Sequence, residues 1–124
     1  MPNLIERVKQ TAAQATEEVC GHPGRVTCRL THVYRDGAAP YFTLLSPVAR
    51  GEEIDLWDAI KARVSPALLE AGGTITHHHA VARDHAPWYA QQRPGLFGEV
   101  LAAAKSVVDP SGILNPGVLG LAAR

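Results

Sequence analysis

Hydrophobic residues recur at helical spacing in three stretches of the chain, at residues 4–19, 54–71 and 96–108. Apolar positions three and four residues apart lie on one face of a helix, so each stretch predicts an amphipathic helix. The first stretch has Asn3 at the N-cap position and Glu6 at the capping-box position, which together mark a helix start.

A strand pattern separates the first two predicted helices. Apolar and polar residues alternate over residues 25–34, with the period of two that turns one face of a strand toward the core. The turn signal Asp36-Gly37 follows, and residues 41–45 form a short β-prone run. These features predict an antiparallel hairpin with a slightly long loop. Residues 74–77 predict a third short strand that leads into a group of histidines.

Prolines and turns set the remaining boundaries. Pro66 removes a backbone donor and predicts a kink in the second helix, or a restart of that helix with Ser65 as its cap. Pro87 and Pro94 predict a polar loop before the third helix, and the turns after residue 108 predict an irregular tail. The order helix, two strands, helix, strand, helix is typical of an α+β fold, with an antiparallel sheet covered by helices.

Composition and charge narrow the class of protein. The chain has 124 residues, 46% of them hydrophobic, which favours one globular domain. Its 12 Lys and Arg residues balance 12 Asp and Glu residues, so no basic surface is predicted and we expect no nucleic-acid partner.

The sequence also bears on the compartment. No apolar run approaches the ~20 residues that cross a bilayer, and Glu6 and Lys9 interrupt the region where an export signal would be apolar. Two cysteines, Cys20 and Cys28, are too few for a disulfide framework or a four-ligand zinc site, so we predict free thiols. We therefore expect a cytoplasmic protein with no membrane partner.

Three consecutive histidines, His77, His78 and His79, are the strongest indication of chemistry in the chain. Imidazole titrates near neutral pH and serves as a proton shuttle, a hydrogen-bond donor or a metal ligand. If the segment is extended, His77 and His79 lie on one face and His78 on the other, so at most two of them share one site. The alternative is a metal site with His77, His79 and His85 as ligands, for which Asp84 is the one adjacent carboxylate.

Three motifs carry a resemblance to a known family: THVYRDGAAPYF (residues 31–42), GGTITHHHAVARDH (residues 72–85) and DPSGILNPG (residues 109–117). Together they resemble the C-terminal cap region of FAD-linked oxidases. Within the vanillyl-alcohol-oxidase flavoprotein superfamily, they are most similar to the alkyldihydroxyacetonephosphate synthase branch. The resemblance covers about residues 25–117 and implies a ferredoxin-like cap domain.

The resemblance implies an active site in which the histidines face the flavin of FAD and the reacting substrate. It makes His77, His78 and His79 catalytic, together with Tyr41, which matches the family's active-site tyrosine. In the synthase branch, an acyl group on dihydroxyacetone phosphate is exchanged for a fatty alcohol through a flavin adduct, and the tyrosine and histidines handle protons. By its own chemistry Tyr41 needs a neighbouring cation such as an imidazolium for this role, and otherwise it is a strand aromatic.

Two further residues are candidates for binding. Arg83 has a planar guanidinium that suits a phosphate or carboxylate of the substrate, and its alternative is an ion pair with Asp84. In the family, Asn115 ends the cap near the catalytic half. This position implies that Asn115, like His78, binds FAD, whereas the residues themselves equally favour a simple Asn-Pro-Gly turn.

Two departures from the family pattern concern the histidine motif. Family members often have glycine where this chain has Ala80 and Ala82, so a positive φ at either position would strain alanine. Related dehydrogenases of 2-hydroxy acids carry a Glu-His pair here and use the glutamate at a metal. His77 or His78 stands at that position in this chain, which favours the synthase branch and argues against that metal.

The resemblance is to a cap and does not extend to the main FAD-binding domain of the superfamily. Nothing in residues 1–124 resembles the Gly-rich segments that hold the pyrophosphate of FAD. We therefore expect residues 1–124 to be the cap, with the FAD-binding domain on the same or another polypeptide as its partner. An uncovered apolar sheet face would also favour a homo-oligomer. The alternative function is a non-catalytic α+β module that oligomerises or binds a metal through histidines.

Overall fold

The computed structural model describes residues 2–121. Its elements are helix α1 (Pro2–Cys20), strands β1 (Arg25–Val33) and β2 (Ala38–Leu45), helices α2 (Glu53–Glu70), α3 (Ala86–Gln92) and α4 (Phe97–Val108), and a 3₁₀ turn (Val118–Gly120). The chain divides into two units, residues 1–73 and residues 74–124. The first unit contains α1, the two strands and α2, and the second contains α3, α4 and the 3₁₀ turn.

Helices α1 and α2 pack against each other in the first unit. Ion pairs join Arg7 to Glu70 and Glu18 to Arg63, so the two helices run antiparallel. The buried side chains of the two helices are mostly small or apolar: Val8, Ala12, Ala15, Thr16, Ile60, Ser65 and Ala67. Removing a side chain of valine size from water contributes about 1.5–3 kcal/mol, so this contact is the main hydrophobic core of the unit.

Strands β1 and β2 form an antiparallel sheet of two strands, as the hairpin pattern predicts. The connecting turn is closed by a hydrogen bond of 2.7 Å from the Tyr34 N–H to the Gly37 carbonyl. The register shifts by one residue between Leu30 and His32, where a β-bulge lies. The bulge lets the strands keep their alternating faces on both sides of the shift.

Gly24 lies where α1 and the end of β2 approach closely. A Cβ atom at this position would stand 2.9 Å from Cγ2 of Thr16 and 3.0 Å from the carbonyl oxygen of Leu45. Its φ of +61° is also in the region that favours glycine. The sheet therefore packs against α1 through a position at which a side chain does not fit.

Helix α2 continues through Pro66, so the predicted restart of the helix at Ser65 is wrong. Proline removes one hydrogen bond, the bond to the carbonyl four residues earlier, which belongs to Ala62. Ala62 is exposed, and water can satisfy its carbonyl. Ser65 is buried inside the helix and does not cap a new one.

The predicted third strand at residues 74–77 is not formed. The N–H of Ile75 donates to Oε1 of Gln92 at 2.9 Å, where a strand would use a backbone carbonyl. The hydroxyl of Thr76 donates to the carbonyl of His79 at 2.8 Å and bends the chain. Side chains of the second unit thus hydrogen-bond to the backbone of this segment, at the Ile75 N–H and the His79 carbonyl, in place of a neighbouring strand.

A short helix, α3, occupies part of the segment predicted as a polar loop. Pro87 lies in its first turn, where the missing N–H costs no hydrogen bond and the fixed φ suits a helix. Arg93 ends it in an extended conformation directly before Pro94, as the residue before a proline prefers. Pro87 marks the start of this helix and is not a sign of an irregular loop.

Asp109 organises the turn that follows α4. Its buried carboxylate accepts hydrogen bonds of 3.1 Å from the N–H groups of Ile113 and Leu114 and pairs with Lys105. The hydrogen bond from Lys105 holds the pKa of Asp109 below its usual value, the two backbone N–H groups add to this lowering, and burial opposes it. The predicted irregular tail is therefore ordered at this turn by one ionised side chain.

The described residues confirm the α+β prediction, with four α-helices and one two-stranded antiparallel sheet, an arrangement consistent with a cap domain. None of the helices within residues 2–121 combines the length and the apolar character that crossing a bilayer requires. Cys20 and Cys28 are free thiols, as predicted. Burial raises the pKa of the Cys28 thiol, and the charge of Lys9 opposes this by a smaller amount.

Candidate functional site

The three histidines lie in a bend of the second unit and are all exposed. The hydrogen bond from the Thr76 hydroxyl to the His79 carbonyl closes this bend. The ring of His78 meets both of its neighbours edge to face, with centroids 5.3 Å from His77 and 4.6 Å from His79. Because the segment is not extended, the condition that would limit one site to two of the histidines does not hold.

The rings of His77 and His78 share a proton position. Their Nδ1 atoms lie 3.0 Å apart, so one Nδ1 carries the hydrogen and the other accepts it. Such a pair can donate a proton at one edge and accept one at the other, which is the chemistry that general acid and base steps require.

The alternative metal trio of His77, His79 and His85 is not assembled in the second unit. The ligand atoms of these three residues do not all lie within 4.8 Å of one another among the described residues. A tridentate histidine site needs its three nitrogens to converge on one ion at about 2.0–2.1 Å each. The arrangement of the second unit therefore does not support this trio.

Tyr41 lies on β2 in the first unit and is half-buried. It pairs across the sheet with Arg29, whose Cζ atom stands 4.9 Å from the centroid of the tyrosine ring. A guanidinium at this distance is attracted to the face of the aromatic ring. Within the first unit, Arg29 therefore places a cation against the face of the Tyr41 ring.

Arg83 binds the backbone of the predicted Asn115 turn. Its Nε and Nη2 atoms donate to the carbonyl oxygen of Pro116 at 3.1 Å and 2.6 Å. The predicted alternative, an ion pair with Asp84, does not form among the described residues. Asn115 itself is exposed, and its φ of 46° is one that asparagine tolerates better than most residues.

The backbone at Ala82 confirms that one of the two alanines of the histidine motif has a glycine-like conformation. Ala82 has a φ of 47°, whereas Ala80 does not have a positive φ. The carbonyl of Ala82 accepts a hydrogen bond of 2.9 Å from the N–H of Leu119, which fixes this conformation. The strain expected from the family pattern therefore falls on one position.

A family model described as "FAD linked oxidases, C-terminal domain" matches residues 1–119. The chain belongs to this family. The resemblance carried by the three motifs is confirmed, and with it the membership of a family of FAD-linked enzymes. The α+β cap arrangement of the described residues agrees with this assignment.

The curated relatives of the chain include synthases and an oxidase subunit. Residues of this chain are 30% identical to an alkyldihydroxyacetonephosphate synthase of Trypanosoma brucei brucei over 90% of the chain and 18% of the relative. For the synthase of Caenorhabditis elegans the identity is 33%, over 90% of the chain and 18% of the relative. A glycolate oxidase subunit GlcD of Bacillus subtilis is 26% identical, over 93% of the chain and 22% of its own length. The chain spans about a fifth of the length of these relatives.

The structure adds residues that the sequence patterns do not reveal. Thr76 bends the histidine segment, Gln92 anchors Ile75, and Arg29 covers Tyr41. The hairpin pattern alone does not pair Arg29 with Tyr41, because that register depends on the β-bulge between Leu30 and His32. No periodicity signals Thr76 or Gln92, since each acts through one hydrogen bond between its side chain and the backbone: the Thr76 hydroxyl donates to the His79 carbonyl, and Oε1 of Gln92 accepts from the Ile75 N–H.

Proposed function

We propose that this chain is the cap of an FAD-dependent enzyme of the alkyldihydroxyacetonephosphate synthase type, which exchanges the acyl group of an acyl dihydroxyacetone phosphate for a fatty alcohol. The observation that carries the proposal is the exposed cluster of three touching imidazoles in a chain that belongs to the FAD-linked oxidases. The synthases among its relatives, at 26–33% identity, support this branch over the oxidases. The proposed role is in ether lipid biosynthesis.

The groups that the second unit offers fit FAD. The imidazoles of His77, His78 and His79 and the amide of Asn115 are exposed, and they both donate and accept hydrogen bonds. A flavin ring has N–H, nitrogen and carbonyl groups on its polar edge, which need partners of this kind. When bound, FAD supplies an electron-poor ring to the reaction, and we assign His78 and Asn115 as the residues that bind it.

Proton handling is the task that we assign to this chain. The exchange releases a fatty acid and takes up an alcohol, so one proton leaves the alcohol oxygen and the balance contains no net oxidation. The His77 and His78 pair can accept that proton at one ring and pass it on through the shared Nδ1 position. His79, in contact with His78, and Tyr41 complete the proposed catalytic set.

The proposed substrate carries a phosphate, and the prediction from the sequence that Arg83 binds it competes with the contact of this side chain to Pro116. A guanidinium keeps its charge at any physiological pH and has five N–H donors, two of which are engaged with Pro116. The KM for the phosphate substrate in an Arg83→Ala variant decides between the two roles.

A partner domain is part of the proposal. The side chains of Val100, Val107 and Val108 on α4 are 67%, 80% and 77% exposed. These positions are seven and eight residues apart and therefore lie on one face of α4. An exposed apolar face of this kind is typical of a surface that another protein part covers. We propose that the FAD-binding domain, on the same or another polypeptide, is that part. Homo-oligomerisation and a cytoplasmic location stay predictions.

The reaction is tested in the FAD-loaded enzyme that carries this domain. It is given an acyl dihydroxyacetone phosphate and a radiolabelled fatty alcohol, without an electron acceptor. We expect the label in a product that survives alkaline hydrolysis, because an ether survives it and an ester does not. No labelled ether, together with bleaching of the flavin by a 2-hydroxy acid, would assign the enzyme to the oxidases instead.

The same assay tests whether the hydroxyl of Tyr41 takes part in turnover. The Tyr41→Phe variant keeps the ring beneath Arg29 and removes only the hydroxyl. If Tyr41 handles a proton, turnover falls by about 100-fold or more. Turnover equal to that of the wild type would reduce Tyr41 to a strand aromatic.

A further inference from the structure

The second unit contains every non-glycine residue within residues 2–121 that has a positive φ. These are Ala82, Asn115 and Leu119, with φ values of 47°, 46° and 59°. Left-handed backbone is unfavourable for residues with a Cβ, and most of all for a large side chain such as leucine. Such residues persist where the surrounding contacts determine their conformation, and they concentrate at functional sites.

These residues are joined by one small set of hydrogen bonds. The N–H of Leu119 donates to the carbonyl of Ala82 at 2.9 Å. The neighbouring residue Arg83 donates from Nε and Nη2 to the carbonyl of Pro116, which follows Asn115. We call this set, residues 82–83 together with residues 115–119, the Arg83 clamp.

Gly117 allows the arginine to lie close to the turn. A Cβ atom at Gly117 would stand 3.3 Å from Nε of Arg83, tighter than ordinary van der Waals contact, and the φ of Gly117 is +76°. The planar guanidinium, with two donors on one carbonyl oxygen, fixes both the position and the direction of that carbonyl. The side chain therefore has a structural contact of its own that does not depend on any substrate.

The clamp connects two segments that both carry proposed site residues. Ala82 follows His79 by three residues, and Pro116 follows Asn115 directly. Fixing residues 82–83 against residues 115–119 therefore holds the end of the histidine segment and the Asn115 turn in one arrangement. We propose that Arg83 is a positioning residue, which acts by holding Asn115 where it meets FAD. The proposal rests on the proposed function, in which Asn115 binds FAD.

The first test uses the 124-residue chain and needs no cofactor. Amide hydrogen exchange is followed at Leu119 in the wild type, Arg83→Ala and Arg83→Lys. We expect exchange at Leu119 to be faster by about tenfold or more in Arg83→Ala, because the turn can then open locally. Arg83→Lys keeps a cationic donor and should restore part of the protection. Arg35→Ala removes an exposed arginine of the β1–β2 turn and should leave Leu119 unchanged.

The second test uses the FAD-loaded enzyme that carries this domain. A positioning role predicts that Arg83→Ala lowers kcat by about 10- to 100-fold and leaves the KM for the phosphate substrate within about twofold. Asn115→Ala should lower kcat to a similar extent and shift the visible flavin spectrum in the same direction. The double variant Arg83→Ala/Asn115→Ala should have a kcat no lower than that of the slower single variant, because both substitutions remove the same interaction between Asn115 and FAD.

The outcomes separate the possible failures. Unchanged exchange at Leu119 in Arg83→Ala would overturn the clamp. Faster exchange with unchanged kcat and flavin spectrum would make the clamp purely structural and overturn the positioning role, while the proposed function would stand. A raised KM with unchanged kcat would make Arg83 a substrate contact instead. A wild-type enzyme without any flavin-dependent turnover would overturn the proposed function and the positioning role with it, and the exchange result would still decide whether the clamp exists.

Discussion

Two antiparallel helices and a hairpin make up the first unit, whereas the second unit joins two short helices by long irregular segments. Five of the seven buried hydrophobic residues in the described part of the chain belong to the first unit, and only Ile75 and Ala86 belong to the second. The second unit relies instead on hydrogen bonds between side chains and backbone, made by Thr76, Arg83 and Asp109. The first unit is therefore stabilised mainly by buried apolar side chains, and the second mainly by hydrogen bonds between side chains and backbone.

The difference between the units matches the location of the proposed site residues. All proposed site residues except Tyr41 lie in the second unit, and so do the three strained non-glycine residues. Regular elements place side chains at fixed intervals, which suits a core. A bend such as that at His77 to His79 brings consecutive side chains together, which no helix or strand can do. An irregular segment is therefore required for this cluster.

The largest effect on stability is expected in the core of the first unit. Val8 is 2% exposed and Val107 of the second unit is 80% exposed, so the same substitution can be compared in both. Val8→Ala should lower the free energy of unfolding by about 2 kcal/mol, through lost burial and a cavity. Val107→Ala should change it by less than about 0.5 kcal/mol. Urea unfolding followed by circular dichroism measures both, and equal losses would contradict the assignment of the core.

A smaller effect is expected where α1 meets the sheet. Gly24→Ala should lower the free energy of unfolding by more than about 1 kcal/mol, because the new Cβ would press on Thr16 and on the Leu45 carbonyl at a positive φ. Gly37→Ala is the control, since its Cβ would meet open space. If Gly24→Ala is as stable as Gly37→Ala, the close approach of α1 and the sheet is wrong.

The strained backbone of Ala82 in the second unit predicts a substitution that increases stability, whereas the two substitutions above decrease it. Ala82→Gly should raise the free energy of unfolding by roughly 0.5 kcal/mol, because relief of the left-handed strain exceeds the added flexibility of the unfolded chain. Ala80→Gly, at a position without a positive φ, should lower it by a similar amount. The same sign for both variants in urea unfolding would show that Ala82 is not strained.

The last effect is a change of stability with pH that is set by Asp109. The pKa of Asp109 is lowered in the folded chain by its hydrogen bond to Lys105, so its contribution to stability is complete above the ordinary aspartate pKa of about 3.9. That contribution is lost as the pH falls through the lower pKa of the folded state. Asp109→Asn should therefore be less stable than the wild type at pH 6 and should lose less stability on acidification below about pH 4. Parallel unfolding curves for both proteins over this range would contradict the role of Asp109.

Periodicity predicted the first unit well, because its elements are amphipathic and bury one face each. It placed α1, both strands and α2 close to their observed bounds. At Pro66 it left a kink or a restart open, and only the restart is wrong, since a continuous helix and a restarted one have the same apolar spacing. The bulge between Leu30 and His32 was also hidden, because one extra residue changes no hydrophobic pattern.

The second unit was predicted less well, for a physical reason. The strand at residues 74–77 was predicted from local preference, whereas the hydrogen bond donated by Thr76 and the one accepted by Gln92 determine the backbone there. The segment predicted as a loop forms α3, with Pro87 in its first turn. The residue type alone was enough to identify the three histidines as candidate catalytic residues. Their mutual contact and the binding of Arg83 to Pro116 depend on how the chain bends, which the spacing does not contain.

The most direct test of the central claim is the rate of flavin-dependent turnover, at saturating substrate, in the enzyme that carries this domain. His78→Ala and His79→Ala are compared with His22→Gln, a histidine of the first unit whose Nε2 lies 3.0 Å from the Pro47 carbonyl and whose replacement can keep that contact. The account predicts that turnover falls by about 100- to 10,000-fold in both alanine variants and stays near the wild-type value in His22→Gln. Wild-type turnover in both His78→Ala and His79→Ala would contradict the assignment of proton handling to the histidine cluster.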